Sequence, residues 1–156
     1  MDLLVWVLGK DIDKFVRDGV RLVVVGSKSR LSEKVKAAIM AAEQKSAAST
    51  RAVVALCLNY GGQTEIAEGV ARMINDGVKA TEVTPERIRD FLYHPELPDI
   101  DLVIRTSGEQ RLSGFMMWRV QYAELYFATT PWPAFSEAEL DSALAEYARR
   151  KRRFGK

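Results

Sequence analysis

The sequence has one cysteine, Cys57, and one histidine, His94, in 156 residues. One cysteine leaves no disulfide within the chain and no cysteine-based metal site. Its place inside the apolar run Val53–Leu58 reads as that of a small core residue. One histidine argues against a histidine-rich metal centre and against a Ser/His/Asp triad. No apolar run approaches the roughly 20 residues that span a bilayer. The formal charge is only +2, too little to point to nucleic acid. Most of the basic surplus lies in Arg149–Arg153, which reads as a solvated helix end that complements the helix dipole. The opening Met1-Asp2 lacks the basic lead-in of a signal peptide, so the expected location is the cytoplasm. Repeats and low-complexity linkers are also missing.

What is present is an ordinary soluble balance, 47% hydrophobic and 28% charged residues, sufficient for one domain over residues 1–156 with a real core. Leu3, Leu4, Val7, Leu8, Ile12, Phe15 and Val16 share one helical face, and Asp18-Gly19 ends that helix. Val20–Val25 is β-branched and stops at Gly26, as a strand buried on both faces does. Ser32 is placed to cap a helix whose inner stripe is Val35, Ala38, Ile39 and Ala42. Ala52–Leu58 is a second strand, followed by Asn59-Tyr60-Gly61-Gly62. A helix is expected from about Thr64 to Val78, with Ile66, Val70, Met73 and Ile74 inward. Thr84-Pro85-Glu86 starts a short helix. Strands follow at Asp101–Ile104 and around Ala123–Phe127, and Ser136 with Glu139 forms a capping box for a last helix reaching about Arg152. This alternation predicts an α/β fold with a parallel sheet flanked by helices.

Ligands of such sheets sit outside the carboxyl ends of the strands. Those ends are Gly26-Ser27, Asn59–Gly62 and Arg105-Thr106-Ser107-Gly108, all small, polar or cationic. Arg105, Arg111 and Ser113 fall within nine residues, and guanidinium forks beside hydroxyls suit a phosphate or diphosphate. Glu124, a lone acid in Tyr122–Phe127, is either a ligand of a hard cation such as Mg²⁺ or the neutralising partner of Arg105 or Arg111. Trp118, Trp132, Phe115 and Met116-Met117 read as ordinary core in preference to the lining of an apolar channel.

The run Asp101-Leu-Val-Ile-Arg-Thr-Ser-Gly-Glu-Gln-Arg-Leu-Ser113 resembles the C-terminal signature of the cis-prenyltransferases, the undecaprenyl diphosphate synthase type of isoprenyl transferase. Phe115–Trp118, Tyr122–Phe127, Trp132-Pro133, Asn59–Gly62 and Arg152–Gly155 are similar in the same order. The resemblance implies a homodimeric transferase that extends an allylic diphosphate with isopentenyl diphosphate, using Mg²⁺. It implies that Arg105, Arg111 and Ser113 hold the isopentenyl diphosphate, that Glu124 binds Mg²⁺, and that Asn59, Arg153 and Gly155 contribute to substrate binding, the tail pair across the dimer. It further implies that the helix Leu3–Val16 walls the isoprenoid tunnel and that the lipid product brings the protein to a membrane surface.

The resemblance also has gaps. The family's Asp-Gly-Asn loop, which binds the allylic diphosphate and supplies the Asp for Mg²⁺ chemistry, has no counterpart here. The first helix resembles one well inside the family's chain. Ser107, Gln63, Gly114 and Ala134 stand where the family usually has Gly, Arg, Asn and Asp. The expectation is therefore a transferase chain lacking its N-terminal segment and a strand of its sheet, inactive alone. The alternative is a non-catalytic partner subunit of a prenyltransferase complex.

Overall fold

The computed structural model describes residues 2–150. They form two compact units, divided between His94 and Pro95.

The first unit starts with helix α1 (Asp2–Arg17), whose chain reverses at Gly19 in the left-handed region, φ +69°. Strand β1 (Val20–Val25) follows, with the bounds its apolar run predicts. Helix α2 (Glu33–Ser46) leads to β2 (Ala52–Cys57), which pairs in parallel with β1, Val20 opposite Ala52 and Val25 opposite Cys57. Helix α3 (Gly62–Asn75), a 3-10 turn at Ala80–Glu82 and the short helix α4 (Pro85–Asp90) complete it. Thr84 caps α4 as expected, accepting from the Arg87 N–H at 3.1 Å. Ser32 stands at the N-cap position of α2 but makes no side-chain cap bond.

Leu22 and Val24 point to one face of β1, where Leu8 and Ile12 of α1 and Val35, Ile39 and Ala42 of α2 close over them. The expected stripe of α2 is therefore the core stripe. Both faces of β1 are buried, since Val23 and Val25 are also inaccessible. Its outer edge is sealed by polar side chains of α2. The Leu22 N–H donates to Ser46 Oγ at 3.0 Å, and the Val24 N–H donates to Glu43 Oε1 at 2.8 Å. Ser46 is wholly buried, so its hydroxyl occupies the place a further strand would take. Ser46→Ala leaves a buried N–H without an acceptor and is expected to cost about 1–3 kcal/mol, read as a lowered urea midpoint with an unchanged slope.

Two expectations fail here. Strand β2 is not buried. Val53, Val54 and Leu56 are exposed although their sequence is that of an interior strand, and Cys57 is only half-buried. Val53 and Val54 are consecutive, so both faces of β2 are open. Helix α3 is rotated from the expected stripe. Val70 and Ile74 are exposed, Glu65 and Gly69 face inward, and Met73 of the expected stripe is buried as expected. Gly69 allows this because the Phe91 carbonyl lies 3.1 Å from where a Cβ would sit. Glu65 fits because its carboxylate accepts from the Tyr60 hydroxyl at 2.5 Å and from the Tyr93 N–H at 3.1 Å.

In the second unit β3 (Leu102–Arg105) pairs in parallel with β4 (Glu124–Phe127), Leu102 opposite Glu124 and Arg105 opposite Phe127. Helix α5 (Glu137–Arg149) starts with the expected box, in which the Glu139 N–H donates to Ser136 Oγ at 3.3 Å and the Ser136 N–H donates to Glu139 Oε2 at 2.8 Å. The helix ends before Arg152, because Arg150 is already extended (ψ 137°). Of the core expected from Phe115–Trp118 and Trp132, Met116 is buried and Trp118 half-buried, whereas Phe115, Met117 and Trp132 are exposed. Met116 and Val120 sit inside with Arg119, a buried cation whose carbonyl accepts from the Ile100 N–H at 2.9 Å. No helix among the described residues is long and apolar enough to cross a membrane.

Candidate functional site

Strand β3 delivers Arg105 at its carboxyl end, and the ladder continues past it. The Ala128 N–H donates to the Arg105 carbonyl at 2.8 Å, and the Gly108 N–H returns to the Ala128 carbonyl at 2.8 Å. The connecting loop is unusual in its backbone. Ser107, Gly108, Ser113, Gly114 and Met116 all lie in the left-handed region, with φ between 48° and 75°. Each non-glycine residue held there costs on the order of 1–2 kcal/mol. At Ser107, φ +69° is the geometry a glycine adopts without penalty. Buried Met116 anchors the far end of the loop.

This folding brings Arg105 and Ser113 together. Both line a cavity of about 320 Å³ with Val103, Ile104, Leu112 and Phe115. Arg105 is half-buried, and among the described residues its guanidinium has no acidic partner. The cavity lining thus combines a cation and a hydroxyl with four apolar residues. Arg111 is not part of it; its side chain is 66% exposed and pairs with Glu109.

Glu124 pairs with neither Arg105 nor Arg111. Its Oε2 accepts from Arg150 Nη1 at 2.9 Å. It opens β4 opposite Leu102, three residue steps, or roughly 10 Å, from the level of Arg105. The sequence gives no local signal for the Arg150 contact, since the two residues are 26 positions apart. Arg153 and Gly155 lie outside the described residues.

Asn59 belongs to the first unit. It clasps the ends of β1 and β2, its Nδ2 donating to the Ser27 carbonyl at 2.8 Å and its carbonyl accepting from the Ser27 N–H at 3.3 Å. It lines a cavity of about 400 Å³ with Ser27, Arg30, Tyr60 and Thr64. Glu68 lines both this cavity and a second one of about 310 Å³ that is also lined by Arg72, Tyr93 and His94. The Glu68 carboxylate accepts from Ser27 Oγ at 2.6 Å and from the Tyr93 hydroxyl at 2.7 Å. The Ser27 hydrogen bond holds it below the usual carboxylate range. Burial, reinforced by the facing Glu68 carboxylate, pushes the Tyr93 hydroxyl up to about 12. A phenol with a raised folded value stabilises fully below its unfolded value and loses that contribution as pH rises through the folded one. The first unit is therefore expected to lose stability between about pH 10 and pH 12, with a flatter profile in Tyr93→Phe, measured by thermal denaturation across that range.

Parallel strands followed by helices, with an arginine at one strand end and a serine in the loop after it, define an α/β protein with a candidate anion site at the carboxyl end of β3. The comparisons with known proteins narrow this class. The family model for undecaprenyl diphosphate synthase matches residues 1–155. An isoprenyl transferase of Clostridium perfringens is 41% identical over 160 residues, covering 99% of this chain and 63% of that one. A Vibrio cholerae ditrans,polycis-undecaprenyl-diphosphate synthase, specific for (2E,6E)-farnesyl diphosphate, is 40% identical and is covered to 64%. The crystal structure of lavandulyl diphosphate synthase from Lavandula x intermedia, in complex with dimethylallyl diphosphate, matches with a TM-score of 0.91 at 32% identity, over 99% of this chain and 69% of that one. The chain belongs to the undecaprenyl diphosphate synthase family of prenyltransferases. It spans about two thirds of the length of these relatives.

Proposed function

We propose that the chain is part of a Mg²⁺-dependent isoprenyl transferase, one that joins isopentenyl diphosphate to an allylic diphosphate and releases a polyprenyl diphosphate. Both units belong to one transferase domain in this reading, as a single family match running through residues 1–155 supports. The observation that carries the reading is the cavity of Arg105 and Ser113. A half-buried arginine without an acidic partner among the described residues, in one cavity with Leu112 and Phe115, suits a diphosphate head on a short apolar body. Arg111 joins it by leaving Glu109, and Asn59, Arg153 and Gly155 make further substrate contacts.

Glu124 takes the Mg²⁺. Among the described residues no three His, Cys, Asp or Glu side chains converge. The donor set on offer is thus fewer than three side chains, which fits a cation that keeps several waters and is shared with substrate phosphates. Bound there, Mg²⁺ would neutralise charge on the diphosphate. The protein works as a cytoplasmic homodimer and meets the membrane surface through its lipid product.

The expected behaviour of this chain is binding without turnover. Calorimetry should show isopentenyl diphosphate binding preferred over inorganic diphosphate, and equal affinity for the two would reduce the cavity to a general anion site. No labelled isopentenyl diphosphate should be incorporated with farnesyl diphosphate and Mg²⁺. Incorporation would show that the residues present suffice for catalysis.

A further inference from the structure

From the contacts of Arg150 we infer that this residue is a positioning residue for Glu124, and that Glu146 supplies the charge which keeps Glu124 attractive to a cation. The inference rests on the reading of Glu124 as the Mg²⁺ ligand.

Arg150 is the first residue past α5, with an extended backbone (φ −76°, ψ 137°). Its guanidinium reaches three acceptors at once. Nη1 donates to Glu124 Oε2 at 2.9 Å and to the Leu125 carbonyl at 3.0 Å, and Nη2 donates to Glu146 Oε1. Side-chain exposures of 32% for Arg150 and 25% for Glu124 place the pair partly inside the protein. A backbone carbonyl of β4 and a side chain of α5 thus fix the fork, and the fork fixes one oxygen of the Glu124 carboxylate. The β4 backbone is itself held there, since the Glu124 N–H donates to the Asp101 carbonyl at 2.9 Å. Among the described residues Glu124 Oε1 accepts no hydrogen bond, which leaves it for a monodentate cation contact, the mode in which a carboxylate serves an octahedral Mg²⁺.

Within the hydrogen-bonded trio the charge count favours holding over blocking. Arg150 with Glu124 alone would be neutral and would offer a cation no net attraction. Glu146, one turn back on α5, makes the trio one positive and two negative groups, net −1. Arg150 is satisfied by Glu146 while it orients Glu124. Outer partners that orient a ligating carboxylate are typically worth 10–100-fold in metal affinity.

The test uses the full chain, isopentenyl diphosphate and Mn²⁺ as the probe, with calorimetry giving the factor by which Mn²⁺ tightens diphosphate binding. Arg150→Ala is expected to lower that factor at least tenfold, Arg150→Lys to recover part of it, and Glu146→Gln to lower it with the Arg150 contacts kept. Circular dichroism checks each fold. Should Arg150→Ala not fold, Arg150→Lys and Glu146→Gln still carry the comparison. An unchanged or increased factor in Arg150→Ala, with Glu124→Gln abolishing it, overturns the positioning role and leaves Glu124 as the ligand. A factor insensitive to Glu124→Gln, or absent from the parent chain, removes the metal reading and the inference with it.

Discussion

Arg105→Ala is expected to weaken isopentenyl diphosphate binding roughly 10- to 150-fold, the loss of a hydrogen-bonded charge contact of about 1.5–3 kcal/mol. The size follows from its position. Arg105 closes β3, its carbonyl is held by the Ala128 N–H at 2.8 Å, and it lines the same cavity as Phe115. A surface arginine would cost far less, because water replaces an exposed contact. Arg105→Lys should recover only part of the affinity, since an ammonium cannot reproduce the two-pronged geometry. Calorimetry against isopentenyl diphosphate measures both variants. An Arg105→Ala chain that binds within twofold of the parent would remove the cavity from the site.

Gly26→Ala is expected to prevent the first unit from folding, or to destabilise it by about 4 kcal/mol or more, the range reserved for gross steric conflict. Gly26 ends β1 at φ +144°, and an added Cβ would sit 1.9 Å from the Leu58 carbonyl oxygen. The obstacle is backbone, and that backbone is tied down. The Leu58 N–H donates to the Val25 carbonyl at 2.9 Å, and Asn59 bonds Ser27 on the next step. Neither strand can move away without breaking the clasp between them. Denaturant titration followed by circular dichroism checks this, and a variant with the parent midpoint would contradict the close crossing. Gly77, by contrast, has no atom within 4 Å of a built Cβ, so alanine there meets only the strain of its positive φ.

What the sequence reveals is what neighbouring residues decide. The bounds of β1 follow from a β-branched run stopped by glycine, and the caps of α4 and α5 follow from hydroxyls three residues ahead of their partners. Arg105 and Ser113 are legible as companions because a strand end and its own loop bring them together. The burial of β2 is not legible, because Val53, Val54 and Leu56 carry an interior composition whatever lies against them. Nor is the rotation of α3, which depends on Gly69 meeting the Phe91 carbonyl and on Glu65 finding Tyr60 and Tyr93. Arg150 escaped for the same reason. In a basic run it reads as one of several equivalent charges, and only the fold of β4 against it singles it out.

The two edges of the first sheet are unlike. Ser46 and Glu43 occupy the outward N–H groups of Leu22 and Val24, whereas among the described residues no side chain does so for Val53 to Leu56. Edge-to-edge growth needs every added copy to present a fresh edge to the next. Within the first sheet, a copy that docks through β2 offers its occupied β1 at the far edge. Growth of the first sheet through β2 is self-terminating: it closes as a two-fold pair.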